Sequence, residues 1–98
     1  MDYTLSGDNV EITDALRAFV GEKLAGLNTR GTETTSARVL LKINGSEQTA
    51  TGTLEVDGQD LTAITAAASD MHTAIDRLAD KLSAQLRRHT QRQHGRPK

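Results

Sequence analysis

The sequence predicts an α+β fold in the order β-α-β-β-β-α, with a four-stranded sheet and two helices packed on one face. Three observations predict it. The segments after Thr13 and from Ser69 to His94 carry apolar residues at helical spacing. Two stretches between them alternate apolar and polar residues with period two, and a third is rich in β-compatible residues. The turn signals Asn44-Gly45-Ser46 and Asp57-Gly58 separate these stretches and mark hairpins.

Each element has its own reason. Asp2 to Gly7 reads as a strand with Tyr3 and Leu5 on one side and Thr4 and Ser6 on the other. Gly7-Asp8-Asn9 ends it. Thr13 is a helix N-cap whose hydroxyl accepts from a free backbone N–H, and Asp14 follows where a negative charge favours the helix dipole. Leu16, Phe19, Val20, Leu24 and Leu27 then form the apolar face of helix 1, with stop positions at Gly26 and Asn28. Asn28 to Ser36 is polar, without a period, and reads as a loop. Ala37 to Asn44 turns Ala37, Val39, Leu41 and Ile43 to the core, and Arg38, Leu40 and Lys42 outward. Gln48 to Asp57 sets Ala50, Gly52, Leu54 and Val56 against Thr49, Thr51, Thr53 and Glu55. Leu61 to Ala67 is the fourth strand; Leu61 and Ile64 have unlike parity, which suggests a bulge. Ser69 or Asp70 caps the final helix, and Gly95 and Pro97 end it. Residues 1–94 form a single domain and residues 95–98 a frayed tail. The sheet face away from the helices meets solvent.

Ninety-eight residues suit one domain burying roughly 65% of its unfolded surface. The core is lean, because 36% of the residues are hydrophobic and Tyr3 and Phe19 are the only aromatics. The chain has no cysteine, so disulfides and thiolate metal sites are excluded. MDYTLSGDNV has no cationic segment followed by an apolar one, and no run approaches the ~20 apolar residues of a membrane span. The expectation is a cytoplasmic protein that does not engage membranes.

The formal net charge of −1 conceals a division along the chain. From Arg77 onward there are seven basic residues and one acid, +6; residues 1–76 hold five basic and twelve acidic residues, −7. With Arg77 at zero on a helical wheel, Met71, Ile75, Leu78, Leu82 and Leu86 fill an arc from about 100° to about 180°. Arg77, Lys81, Arg88 and Arg92 fall within about 60° of one another beside that arc, and Asp76 and Asp80 lie on the far, solvated side. The last helix thus carries an apolar stripe and an adjacent cationic one, a surface suited to a polyanion. Helix 1 adds Arg17 and Lys23, the latter with its stem along the surface and its ammonium in water. Lys42 projects from the second strand. If the helices lie side by side, these groups bound one cationic surface for a phosphate backbone. The bland alternative is a solvated charged face.

No enzyme is expected. His89 and His94 are five residues apart, whereas zinc-binding pairs on a helix favour four, and no carboxylate cluster accompanies His72, His89 or His94. No nucleophile motif and no glycine-rich phosphate loop is present, so neither cofactor nor metal is expected. Exposed stacking aromatics are absent from the pattern, which argues against a base-stacking platform.

Three stretches resemble a known family. Gly7-Asp8-Asn9-Val10-Glu11-Ile12-Thr13-Asp14-Ala15-Leu16-Arg17 is similar to its strand-to-helix segment, and Val39-Leu40-Leu41-Lys42 to its second strand. Asp70-Met71-His72-Thr73-Ala74-Ile75-Asp76, followed by Asp80-Lys81-Leu82 and Gln85-Leu86, is similar to its second helix. The family is that of the short ribosome hibernation promoting factors and the ribosome-associated inhibitor, once called sigma-54 modulation proteins. The resemblance implies the β-α-β-β-β-α fold and a non-enzymatic protein that binds the small ribosomal subunit. It implies contact with 16S rRNA in the channel of mRNA and tRNA, and silencing of translation in stressed or stationary cells. It also implies the short kind, a monomer when free, with pairing of ribosomes into dimers among its effects. Arg17, Lys23, Lys42 and Lys81 match basic positions of the family, Arg88 and Arg92 match its basic tail on helix 2, and His89 also matches a family position. Arg77 and Arg87 are added from the helical wheel.

Gly26 and Gly45 stand where relatives often carry lysine, His72 replaces a common tyrosine, and the loop 28–36 lacks the usual aromatic and basic residues. These departures motivate a second reading, a protein-interaction or regulatory domain of the same fold with weakened rRNA binding. A double-stranded RNA binder is a third.

Overall fold

A computed structural model of the chain describes residues 2–27 and 34–94, with residues 34, 35 and 91–94 by backbone alone. The elements are β1 (Asp2–Asp8), α1 (Asp14–Ala25), β2 (Thr34–Asn44), β3 (Glu47–Val56), β4 (Gln59–Asp60), β5 (Ile64–Ala68) and α2 (Met71–His94). β1 runs parallel to β2, with Leu5 opposite Val39, as a strand–helix–strand connection permits. β2 and β3 are antiparallel, and β3 pairs on its other side with both β4 and β5. The expected α+β layering holds, with the fourth strand in two pieces.

The division of that strand has a physical cause. Gln59 and Asp60 pair with Val56 and Glu55, whereas Ile64 pairs with Gly52, so the register slips by one residue in between. Leu61 keeps the first register through its N–H, which donates to the Leu54 carbonyl at 2.8 Å. Thr62 and Ala63 therefore stand opposite the single residue Thr53, a bulge. In an unbroken strand Leu61 and Ile64 would face opposite ways; with the extra residue both pack against the core rim.

β2 corrects the loop assignment. It begins at Thr34, so residues 34–36 are strand, with an irregularity between Thr34 and Ser36. Threonine suits an extended backbone, and the Ser36 hydroxyl donates to Glu55 Oε1 across the pair at 2.9 Å. The expectations for loop residues 28–33 and for residues 95–98 lie outside the described residues.

The turns follow their residue types. Asp57 and Gly58 both have positive φ, 53° and 81°, as a two-residue I′ hairpin demands, and Gly45 has φ 64° at the first central position of its own. Thr13 Oγ1 accepts from the Leu16 N–H at 3.1 Å. Between the two candidate caps of α2, Asp70 takes the role: Oδ1 accepts from the Thr73 N–H at 2.9 Å and Oδ2 from the Thr73 hydroxyl at 2.8 Å.

The core lies between the sheet and the helices. Val20 of α1, Leu41 and Leu54 of the sheet, and Leu78, Leu82 and Leu86 of α2 are almost wholly buried. Tyr3 sits at the edge under α1, its hydroxyl donating weakly to the Arg17 carbonyl at 3.4 Å. α2 crosses β3 over Gly52, where a Cβ would stand 3.2 Å from both Leu78 and Leu82. Among the described residues, no helix is long and apolar enough to cross a membrane.

Two outcomes follow. Gly52→Val forces α2 off the sheet and should destabilise the fold by about 1–3 kcal/mol in urea denaturation. The hydrogen bonds from Thr73 hold the Asp70 carboxyl below its ordinary value. A lowered folded value stabilises above the unfolded value and is lost as pH falls through the folded one. Asp70→Ala should therefore lower Tm at neutral pH, and its gap to wild type should close on acidification below the usual carboxylate range.

Candidate nucleic-acid interface

Helical spacing puts Arg77, Lys81 and Gln85 one above another on α2, about 6 Å apart. The edge strand beside them repeats every two residues at nearly the same interval, about 6.6 Å. The two rows therefore match. Arg77 Nη1 donates to the Ala67 carbonyl at 2.8 Å, Lys81 Nζ to Thr65 at 3.4 Å and Gln85 Nε2 to Thr62 at 2.7 Å. The first two contacts cover outward carbonyls of β5, an edge otherwise open to another strand, and the third covers that of Thr62 in the preceding bulge. They also fix two cations in a line without neutralising them, since the acceptors are uncharged. Among the described residues, Arg77, Lys81, Arg87 and Arg88 make no ion pair within 4.0 Å.

Arg88 is exposed and continues the row. Arg92 lies in the last turn of α2, its side chain outside the described residues. Arg87 is exposed but about 80° around the helix from Arg77, on the side of Asp80, and so stands off the row.

The other candidates do not join this surface. Arg17 is exposed on α1, about 160° around that helix from Phe19, whose ring meets His72 of α2 at 4.7 Å between centroids. Arg17 therefore projects away from α2. Lys42 lies on the open face of the sheet, 4.0 Å from Asp8 Oδ2, with the sheet between it and the helices. Lys23 faces α2 but is engaged: its Nζ is 2.6 Å from Asp76 Oδ1 and 5.4 Å from the Phe19 ring centre. The hydrogen bond to Asp76 raises the Lys23 amine above its ordinary value, against a smaller opposing effect of burial. The single cationic surface joining helix 1, the second strand and the last helix is thus replaced by one row on α2 and three separate charges.

The acids of α2 are exposed, as expected, and lie on the side of α1. Asp76 and Asp80 face the cleft between the helices, where they line a space of about 270 Å³ with Glu22 and Lys23. Three carboxylates against one ammonium make that cleft anionic. Asp76 is exposed, with 56% of its side chain open to solvent, and is at the same time the partner of Lys23. His89 is buried, and its Nε2 lies 3.0 Å from Asp57 Oδ2, tying α2 to the β3–β4 turn. Among the described residues, no group of three His, Asp or Glu side chains could hold a metal ion.

Gln85 was missed by a reading that looked only at charge. Its place at four residues after Lys81 is the signal that would have found it. Its Nε2 is engaged, while its Oε1 is buried without a hydrogen-bond partner among the described residues, a state that costs about 1–3 kcal/mol.

Comparisons with known proteins agree with this architecture. The family model described as "Sigma 54 modulation protein / S30EA ribosomal protein" matches residues 3–94. A ribosome hibernation promoting factor of Pseudomonas putida is 39% identical over 93 residues, covering 95% of this chain and 90% of that one. Its counterpart in Escherichia coli is 42% identical over 89 residues, covering 91% and 93%. The crystal structure of the N-terminal domain of Thermus thermophilus Protein Y superposes with a TM-score of 0.81 at 34% identity, covering 91% of this chain and 99% of that domain. A ribosomal subunit interface protein from Coxiella burnetii has the same fold, with a TM-score of 0.83 at 23% identity.

The pairing of Lys23 has a measurable consequence. Asp76→Asn removes one negative charge and releases the Lys23 ammonium, so the variant should elute from heparin at higher salt than wild type. Equal elution would mean that the cleft takes no part in polyanion binding.

Proposed function

The chain belongs to the sigma 54 modulation protein / S30EA ribosomal protein family, and from that premise we propose that it is a non-enzymatic hibernation factor of the small ribosomal subunit. It lies in the channel of mRNA and tRNA, touches 16S rRNA through the α2 row, and silences translation in stressed or stationary cells. It acts in the cytoplasm, is a monomer when free, needs no cofactor, and leaves ribosomes able to pair into dimers.

The observation that carries this reading is the row Arg77, Lys81, Arg88. Its charges are uncompensated, and two of them are held in place by main-chain carbonyls. A phosphate backbone rewards such a row because each contact releases condensed counterions. The names of the P. putida and E. coli relatives support ribosome binding as the setting. Of the candidate residues, Arg77, Lys81 and Arg88 have the principal role, and Arg92 extends their line along the helix. Arg17, Lys42 and Arg87 contribute from other surfaces, and Lys23 contributes only when Asp76 gives it up.

One observation favours the second reading, a regulatory domain for a protein partner. The cleft between the helices is anionic and repels phosphate. A single experiment separates the two. Purified small subunits are sedimented with wild type, Lys81→Glu/Arg88→Glu, and Arg17→Glu/Lys42→Glu, at two salt concentrations. Wild type should co-sediment and weaken with salt; the α2 variant should lose binding at least tenfold, and the other variant less. Each phosphate contact removed should flatten the salt dependence by about one unit of slope. Wild type remaining in the supernatant at low salt would leave the protein-partner reading in its place.

A further inference from the structure

α2 is fastened to the sheet by a ladder of side chains four residues apart. Arg77, Lys81 and Gln85 donate to the carbonyls of Ala67, Thr65 and Thr62, and His89 Nε2 lies 3.0 Å from Asp57 Oδ2 in the β3–β4 turn. Four residues advance a helix by about 400°, so each rung is turned about 40° further toward the core than the last. The ladder therefore begins exposed at Arg77 and ends buried at His89. An ionised carboxylate only accepts, so Nε2 carries the proton of this last bond.

The last rung lies where other restraints on the helix end. Leu86 is the final buried apolar residue of α2 among the described residues, and beyond it His89 is the one buried side chain among them. A space of about 310 Å³ opens between Arg88 and His89 of the helix and Leu61 and Ile64 beside the bulge, so packing does not brace the helix on that side. Helix ends open locally at little cost unless something holds them. Arg77 and Lys81 are held by their own rungs. Arg88 has none among the described residues, so its place in the row is set by the backbone it stands on, one residue from His89. A leucine at position 89 would complete the apolar arc, but hydrophobic contact is non-directional, whereas a hydrogen bond fixes a position. We propose that the His89–Asp57 bond positions Arg88: by holding the end of α2 on the hairpin, it keeps Arg88 in line with Arg77 and Lys81 for a phosphate backbone. The proposal rests on the reading that the α2 row binds RNA, and it gives that row two positioning residues that do not themselves touch the RNA.

The test measures the affinity of the whole chain for purified small ribosomal subunits at several salt concentrations. Asp57 has a positive φ of 53°, which asparagine and glycine both accept. Asp57→Asn keeps an acceptor for His89, and Asp57→Gly removes it. Both lose the same negative charge, so general electrostatics predicts that each binds at least as tightly as wild type. Positioning predicts that the two part. Asp57→Asn should match or exceed wild-type affinity. Asp57→Gly should bind about three- to tenfold more weakly, with a salt dependence flatter by about one unit of slope. In an Arg88→Gln background the two should bind alike, because the residue through which they act is gone. His89→Leu breaks the same bond from the helix side and should bind as weakly as Asp57→Gly. Equal affinities of Asp57→Asn and Asp57→Gly, or a difference that persists without Arg88, would overturn the positioning role, while binding by wild type keeps the RNA reading in place. Wild type that fails to bind would overturn both. Should Asp57→Gly fail to fold by circular dichroism, His89→Leu compared with His89→Gln, which keeps a donor, decides in its place.

Discussion

The close approach of α2 to the sheet at Gly52 governs the rest of the molecule. No Cβ separates the helix from β3 there, so Leu78 and Leu82 rest directly on the backbone. Both are buried with Leu86, and each such side chain contributes about 1.5–3 kcal/mol of hydrophobic stabilisation. A low helix also brings its flanks within reach of the sheet edge. Arg77 and Lys81 have long stems, but Gln85 is shorter, and its 2.7 Å hydrogen bond to Thr62 needs the helix to lie that close. Core packing and the alignment of the surface charges are therefore one structural fact.

The two flanks of α2 carry charge of opposite sign toward opposite neighbours. Toward α1 the helix offers Asp76, which meets Lys23; toward β5 it offers Arg77 and Lys81, which meet neutral carbonyls. The ion pair is partly open to water and adds little stability. Its effect is electrostatic: it removes a cation from the face of α1 while the other flank keeps its full charge. Beside the segregation along the chain, −7 before Arg77 and +6 from Arg77 onward, there is thus a second one across a single helix.

Much of the fold was legible in the chain because periodicity reports directly on burial. The alternation in β3 and the apolar arc of α2 were read correctly, as were Thr13 as a cap and the left-handed pair Asp57-Gly58. The bulge at 62–63 was visible only as a conflict of parity between Leu61 and Ile64, and the pairing needed coordinates to place it. Residues 34–36 looked like loop because Thr and Ser carry no hydrophobic alternation, yet extended backbone suits them. The candidate site was harder to read. A wheel orders the residues around one helix and so found the row Arg77, Lys81 and Arg88. It has no information about what stands opposite, so it did not show that the solvated Asp76 pairs with Lys23, which passed for a free cation. Arg17 and Lys42 were grouped with the row for want of the third dimension.

The acceptors that hold Arg77 and Lys81 belong to the main chain of Ala67 and Thr65. A carbonyl is present whatever side chain the residue bears, so substitution at either position leaves the anchor for the cation unchanged. The line of charge is thereby uncoupled from sequence drift in the strand that supports it. An ion pair such as Lys23 with Asp76 has the opposite property, since it is abolished by one change in either codon. The same helix joins a mutationally robust surface on one flank to a mutationally fragile one on the other, so the balance of charge facing α1 can evolve while the row along the sheet edge stays in place.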